Sequence, residues 1–346
     1  MQPRLNITFP FKRQLLYWFG EKYEPNEGEY LLNHARTGII MAMRSTLPNG
    51  GRVGVVAYNC HTVANAVVNV RCTPVFVDIT DELTIDVGSI PTDLDAIVVT
   101  NLFGIRNDVE AIRKRCPGAI IIVDNAHGYG LPTEGDFTVY SINQGKFPAL
   151  GPGGMLVINL QSAIINLKPQ IDSMYESLPS CSLFEQLKLF ASMLMKAFAY
   201  SRCMYWLTMK LKKSANPDVH ETVSMKQMAP GVRRLYQSWL PKADEAIAEQ
   251  KRNAESIINL HGSADRQKFE ILNLKYLIGD NAFMAIVRTE DPAVLKAEFA
   301  AKGVEVETHF KNAIVWAEQF GYKRGSCPKA EELTTKLLMI PTYTKI

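Results

Sequence analysis

The sequence predicts an α/β protein with two domains: a large domain built on a mostly parallel sheet, and a smaller C-terminal α+β domain. The chain has 346 residues, which is enough for a sizeable core and usually for two domains. In the first half, short runs rich in Val and Ile alternate with helix-length segments, and this alternation indicates crossover units in a parallel sheet. From about Leu160 onward, long helical stretches come first and short strands follow.

Six apolar segments of the first half are predicted strands, because near-continuous Val and Ile content suits strands that are covered on both faces. They are residues 52–58, 74–79, 96–102, 119–125, 137–142 and 154–159. Helices are predicted between them, at residues 34–46, 62–70 and 107–115. In such a sheet, ligands collect at the carboxyl ends of the strands.

The second half is predicted to begin with two long helices, at residues 183–213 and roughly 225–260. Strands are predicted at 269–277, 283–288 and 304–308, and helices at 292–302, 311–320 and 329–338. A polar segment near 210–225 is expected to be a loop, so we place the large domain at residues 1–220 and the small domain at 221–346.

Composition excludes several classes of function. The chain is 47% hydrophobic and 21% charged, as in ordinary globular proteins and unlike disordered chains. The net charge of only +3 gives no global field for binding nucleic acid. The 6 scattered cysteines lack a CxxC pair, which indicates reduced thiols in the cytoplasm and no metal site. We also expect neither a signal peptide nor a spanning helix.

The first candidate site residue is Asp124, which ends a predicted buried strand in AIIIVDNAHGYG (residues 119–130) and is followed by His127. A carboxylate at the carboxyl edge of a sheet is costly unless it meets a positive partner. An isolated aspartate in this position can also be a turn or helix-cap residue.

The second candidate is Lys146, in a Gly- and Pro-rich loop that follows Ser141. A partly desolvated lysine can have a lowered pKa and form a Schiff base with an aldehyde, whereas a solvated loop lysine is inert. A third segment, residues 35–38 (ARTG), starts a helix where N–H groups and a hydroxyl can bind phosphate. A phosphate turn, a strand-end Asp, and then Ser and Lys are the groups that pyridoxal phosphate (PLP) requires.

These segments resemble the DegT-like nucleotide-sugar aminotransferases, which are fold-type I PLP enzymes. The matching stretches are VAYNCHTVANAVVNVRCTPVFVDI, IIIVDNAHGYG and YSINQGKFPALGPGGMLV, and a looser match extends to the C-terminus. The resemblance implies a homodimer that moves an amino group from an amino acid, by analogy glutamate, to a keto sugar nucleotide. Related dehydratases of this fold have His in place of the lysine, so Lys146 favours transamination.

The resemblance implies a role for each matching residue. Lys146 corresponds to the catalytic lysine that holds the PLP aldehyde and moves a proton, Asp124 to the partner of the pyridine nitrogen, and His127 to the residue near the 3-hydroxyl. The other residues assigned to cofactor binding are Thr37, Gly38, Ser141, Cys60 and Thr62. The residues assigned to the neighbourhood of the substrate are His309, Tyr58 and His61.

Two departures from the family pattern stand out. Cys60 occupies the place where the family often has an aromatic residue stacked on the cofactor. Residues 222–225 (TVSM) replace the family's N-x-R-M motif, whose Asn reaches the phosphate in the partner subunit. The resemblance therefore leaves the partner's phosphate contact without a matching residue.

Residues 182–213 are the least family-like segment, with six basic residues, one acidic residue and many Leu, Met and aromatic side chains. Such a basic amphipathic helix can lie in a membrane interface, and its charges are too closely spaced for it to span one. Packing in the core or in a dimer is the alternative interpretation. At a membrane, for example the inner face of the cell membrane, the contacting residues would be Lys196, Trp206, Lys210 and Lys212.

Three functions are open at this point. The leading hypothesis is a PLP-dependent aminotransferase acting on a keto sugar nucleotide, in glycan, envelope polysaccharide or natural-product sugar biosynthesis. A second is the same cofactor chemistry on a lipid-linked or other non-sugar carbonyl at the membrane surface. A third is a non-catalytic scaffold with the PLP fold.

Overall fold

The computed structural model describes residues 8–201, 203–205, 207–208, 219–260, 270–272, 284–302, 304–308 and 310–342, with the backbone alone at 256–260. The predicted site and surface residues Trp206, Lys210, Lys212 and His309 lie outside the described residues, as does most of the predicted strand 269–277. Among the described residues, no helix is both long and apolar enough to cross a membrane.

Seven strands form the large sheet, in the order β1-β7-β6-β5-β4-β2-β3. The strands are β1 (Glu29–Leu32), β2 (Arg52–Val56), β3 (Thr73–Val77), β4 (Ala96–Thr100), β5 (Ile120–Asn125), β6 (Phe137–Ser141) and β7 (Gly154–Ile158). The pairs among β2 to β6 are parallel, and the pairs β6–β7 and β1–β7 are antiparallel. The mostly parallel sheet and its six predicted strands are therefore confirmed, and β1 is an edge strand that the sequence pattern did not reveal.

Helices cover both faces of this sheet. They are α1 (Phe11–Phe19), α2 (Ala35–Thr46), α3 (His61–Val68), α4 (Val109–Arg115), α5 (Lys168–Glu176) and α6 (Leu183–Ala199). α2 approaches the sheet closely at Gly38, where a Cβ would lie 2.9 Å from Val139 Cγ1. α6 starts with a capping box between Ser182 and Glu185. The prediction that one helix runs from 183 to 213 is wrong, because the backbone leaves helical geometry after residue 199.

The predicted helix 225–260 is two helices, α7 (Pro230–Trp239) and α8 (Ala243–Leu260), separated by a 3₁₀ turn at Leu240–Lys242. Pro241 lies in this turn, where its missing N–H and fixed φ suit the start of a helix and interrupt a continuous one. α7 packs against α1, so that the N-terminal helix is joined to the second half of the chain.

The C-terminal part contains a small antiparallel sheet in the order β10-β9-β8. Its elements are β8 (Glu270–Ile271), β9 (Met284–Arg288), α9 (Pro292–Ala301), α10 (Ala313–Glu318), α11 (Pro328–Lys336) and β10 (Leu337–Pro341). The predicted strand 304–308 forms only an isolated bridge, from Glu307 to Met339. The predicted helix 329–338 ends earlier, because its last residues begin β10.

The two sheets share one hydrophobic core. Ile97 and Val123 of the large sheet belong to the same cluster as Ile286 and Met339 of the small sheet and Leu333 of α11. The opposite face of the large sheet packs on α2 in a second cluster. The small sheet and α11 therefore share a core with one face of the large sheet.

Candidate active site

Three strand ends meet at one edge of the large sheet. The register pairs Thr100 of β4 with Asp124 of β5, and β6 beside them ends at Ser141. These residues line a cleft of about 810 Å³ that opens to solvent, together with Cys60, His127 and Lys146. The structure therefore brings together the strand-end acid, the serine and the loop lysine that the sequence singled out.

Lys146 and His127 are in direct contact. Lys146 Nζ lies 2.5 Å from His127 Nε2, and the backbone N–H of Phe103 donates to His127 Nδ1 at 3.3 Å. Because Nδ1 accepts this hydrogen bond, it carries no proton of its own, and the proton of the neutral ring is on Nε2. His127 then donates to the lone pair of Lys146, which requires the lysine to be a neutral amine.

The electrostatic surroundings favour the same protonation state. Burial lowers the pKa of Lys146, opposed by the negative charges of Cys60 and Asp124. A neutral amine is the nucleophilic form, the form that attacks an aldehyde. The histidine contact and the burial thus both prepare Lys146 for this reaction.

Asp124 is buried at the end of β5, on the floor of the cleft. Its Oδ1 accepts from the backbone N–H of Ala126 at 3.0 Å, and the Thr100 hydroxyl also donates to it. Thr100 Oγ1 in turn accepts from Asn59 Nδ2 at 2.9 Å. Burial raises the pKa of Asp124, so this carboxylate is placed where a cationic ligand would stabilise its charge.

Cys60 faces the same cleft from the N-terminus of α3. The Thr62 hydroxyl lies 3.1 Å from its Sγ. Burial raises the pKa of Cys60. Hydrogen bonds from His61 and Thr62, together with the positive charge that Lys146 carries when it is protonated, outweigh burial and lower this pKa to about 7. Cys60 and Thr62 therefore border the cleft, and the pKa of the cysteine lies below its ordinary value.

The first turn of α2 forms another side of the cleft. His34, Ala35 and Arg36 line it, and Arg36 is ion-paired with Glu221 from the segment before α7. Among the described residues, no side chain caps this helix N-terminus. A cationic side chain and a helix start thus face the cleft together, an arrangement that attracts anions.

Four residues assigned from the sequence lie elsewhere. Thr37 is fully buried, and its hydroxyl donates to Asn33 Oδ1 at 2.8 Å. Gly38 faces the sheet, because residues two to three positions into a helix turn away from the side that the first residues face. Tyr58 is buried in the core beside Phe310, and His61 lies against Trp316 in a neighbouring cavity. The structure does not bring these four side chains into the cleft.

Other lining residues were missed from the sequence. Arg36 stands one position before Thr37 and lines the cleft. The sequence alone did not show which side chains of the first turn of α2 face the cleft. Asn59 follows the predicted strand 52–58, and Thr100 ends β4, two residues before the end of the predicted strand 96–102. Phe310 lies in the C-terminal part of the chain, with its ring 6.0 Å from that of His127 and nearly parallel to it. No local pattern marks such a distant residue. The described residues contain no cluster of metal-ligating side chains.

A mostly parallel sheet with a lysine and an acid at its carboxyl edge is the arrangement found in PLP-dependent aminotransferases of fold-type I. Residues 32–166 match the model of the DegT/DnrJ/EryC1/StrS aminotransferase family, which confirms the resemblance over this part of the chain. No curated protein sequence matches the chain.

Solved structures of sugar aminotransferases share the fold. The sugar aminotransferase Spr1654 from Streptococcus pneumoniae, described as putative and solved in its PMP form, has a TM-score of 0.69 at 16% identity, with 100% of this chain and 88% of that chain covered. PseC from Helicobacter pylori, an aminotransferase of pseudoaminic acid biosynthesis, has a TM-score of 0.64 at 15% identity, covering 90% of this chain and 81% of that chain.

The cleft residues fit PLP. Asp124 is an acid held in a buried position, which suits a protonated ring nitrogen, and Lys146 is an amine prepared for an aldehyde. Arg36 and the start of α2 offer positive charge for a phosphate. The cleft thus offers one group each for the ring nitrogen, the aldehyde and the phosphate of PLP.

Proposed function

We propose that the protein transfers an amino group from an amino acid, with glutamate as the donor, to the carbonyl carbon of a keto sugar nucleotide. The observation that carries this proposal is the contact between Lys146 Nζ and His127 Nε2 in the same cleft as the buried Asp124. The sugar substrate is supported by the family and by similar structures, among them DesI, which was solved with its TDP-sugar product.

Each step of the transfer falls to a residue of the cleft. PLP supplies an aldehyde and an electron-withdrawing ring that stabilises negative charge at the substrate carbon. The Asp124 carboxylate would keep the ring nitrogen protonated. Lys146 would bind the aldehyde and later take a proton from the donor carbon and return it. His127 would direct the lone pair of Lys146 Nζ, since its Nε2 donates to that atom.

We also propose that Arg36, Ser141 and the N–H groups of the first turn of α2 bind the cofactor phosphate. Arg36 lies at the helix start, and Ser141 ends the neighbouring strand β6 on the same cleft. This assignment shifts the phosphate contact from Thr37 and Gly38 to the residues that line the cleft. Arg36 also gives the phosphate a positively charged partner from the same chain. The N-x-R-M motif, whose Asn would reach the phosphate in the partner subunit, is missing from this sequence.

The experiment has two stages. Purified protein is loaded with PLP, reduced with borohydride and digested, and mass spectrometry should find the reduced PLP on Lys146. Loaded protein is then mixed with L-glutamate, and the visible absorbance band should shift while 2-oxoglutarate appears. A panel of keto-sugar nucleotides carrying dTDP or UDP should next yield an aminated sugar.

Lys114→Ala is the matched control, since this lysine is exposed on α4 and far from the cleft. We expect Lys146→Ala to lose the band and the PLP adduct, and Lys114→Ala to keep both. Glutamate conversion without amination of any sugar nucleotide would contradict the acceptor. Absence of the adduct on Lys146 would contradict the whole assignment. The homodimer remains part of the proposal and is measured by analytical ultracentrifugation.

A further inference from the structure

The N-terminal helix α1 has an apolar side that faces solvent. Phe11, Leu15 and Phe19 recur every four residues, and Phe11 and Phe19 are 72% and 83% exposed. The opposite side of the helix is buried at Tyr17. An isolated exposed apolar residue is ordinary, but a stripe along a helix marks a surface that binds something.

A second stripe runs along α6. Its exposed apolar residues follow helical spacing and are Leu183, Phe184, Leu187, Met195 and Phe198. The buried side of this helix is at Met193. Most of the large exposed hydrophobic side chains among the described residues are therefore concentrated on α1 and α6.

The two stripes lie on the same side of the molecule. Phe190 of α6 packs against both Tyr17 and Trp18 of α1, with ring centroids 5.4 and 5.3 Å apart, so the helices are neighbours. Tyr17 and Met193 belong to one core cluster beneath both helices. Since each stripe lies opposite its own buried residue, both point outward and form a single apolar platform, which we call the α1–α6 platform.

The platform is bordered by positive charge. Lys12 on α1 and Lys188 and Lys196 on α6 are exposed, and the Lys188 ammonium lies 4.4 Å from the centroid of the Phe184 ring. α1 contains no acidic residue. Glu185 is the one acidic residue of α6, and it is ion-paired with Lys226 and caps the helix.

We propose that the α1–α6 platform binds the surface of a bilayer that contains anionic phospholipids. Aromatic and aliphatic side chains would enter the headgroup region while lysines pair with lipid phosphates, the usual arrangement of interfacial helices. A second copy of the chain suits this surface less well. In a two-fold contact the same patch meets itself, which would bring together two surfaces that are both bordered by Lys12, Lys188 and Lys196.

The test uses the full-length protein loaded with PLP, with flotation on vesicles of phosphatidylcholine alone or mixed with phosphatidylglycerol. We expect binding to the mixed vesicles only, weakened by salt because charged headgroups contribute. The double substitution Leu15→Glu with Leu187→Glu should weaken binding by at least about tenfold, because loss of the burial of even one leucine weakens binding by about that factor. The visible PLP band reports that the variants are folded.

The matched control is Val294→Glu with Val315→Glu, which adds the same charge at valines that are each 49% exposed, close to the 45% and 50% of Leu15 and Leu187. It should bind vesicles like the unmodified protein. Absence of vesicle binding, or an equal loss in the control, would overturn the proposal. So would a change of the lipid-free oligomeric state in the Leu15 and Leu187 variant, since that result assigns the platform to self-association.

Discussion

Replacement of Arg36 by alanine is the sharpest test of how this chain holds its cofactor. Arg36 is the cationic side chain at the start of α2, its side chain is only 19% exposed, and it faces the cleft next to Ala35. Loss of a hydrogen bond to a charged group costs about 1.5–3 kcal/mol. At about 1.4 kcal/mol for each factor of ten, PLP should bind about 10- to 150-fold more weakly to Arg36→Ala.

The assay is a titration of the apoprotein with PLP, followed by absorbance, and in parallel with pyridoxal, which lacks the phosphate. The unmodified protein should prefer PLP, and Arg36→Ala should lose most of that preference while its affinity for pyridoxal stays the same. Glu221→Gln is the control, because it removes the partner of Arg36 and leaves the guanidinium in place. Its affinity for PLP should be no weaker than that of the unmodified protein.

Two results would refute this reasoning. The first is an unchanged affinity for PLP in Arg36→Ala, which would show that the phosphate binds elsewhere. The second is an affinity for pyridoxal that falls as much as the affinity for PLP, which would show that Arg36 shapes the cleft without contacting the phosphate. Arg36→Lys separates charge from geometry, since a lysine keeps the positive charge but not the planar fork of donors.

Three further predictions concern single positions. Burial raises the pKa of Asp124, so the apoprotein should lose stability as the pH rises above 3.8, the ordinary pKa of an aspartate. Asp124→Asn should remove that loss of stability, measured by thermal unfolding, and should slow glutamate conversion at least about a hundredfold. An unchanged rate of conversion would contradict the role of Asp124. The rate of alkylation of Cys60 by iodoacetamide should be half-maximal near pH 7, because the pKa of this thiol is lowered to about 7. Bound PLP should protect Cys60 from alkylation. Alkylation that begins only at alkaline pH would contradict this prediction. Gly38→Ala should lower the free energy of unfolding by about 1–3 kcal/mol in urea, and Gly118→Ala, whose added methyl would meet nothing within 4 Å, should not.

The fold of the large domain could be predicted because its strands are covered on both faces. Such strands carry continuous Val and Ile, as Ile120–Asn125 does, and this signal is strong in a single sequence. Prediction from the sequence was wrong where a local pattern is compatible with both a helix and a strand. The apolar run of Leu337–Pro341 suits a helix end as well as a strand, and only its pairing with Met284–Arg288 selects the strand.

The site could be predicted to the extent that its residues are tied to strand ends. Asp124 and Ser141 end strands, and Lys146 lies in the loop that follows, so topology alone brings them together. The residues that we propose for the phosphate could not be predicted in the same way. Which side chains of the first turn of α2 face the cleft depends on the residue at which the helix starts. Phe310 reaches the cleft only through the packing of the small sheet on the large one, which no local sequence pattern encodes.

The register of β5 has a consequence for how the protein tolerates insertions. Side chains alternate along a strand, so Ile121 and Val123 belong to one core cluster and Ile122 to the cluster on the other face, which also contains α2. Asp124 shares the face of Ile122. Gain or loss of one residue inside β5 would therefore send the acid to the wrong side of the sheet and bury it in apolar surroundings, whereas an equal change in an outer loop would leave the catalytic edge untouched.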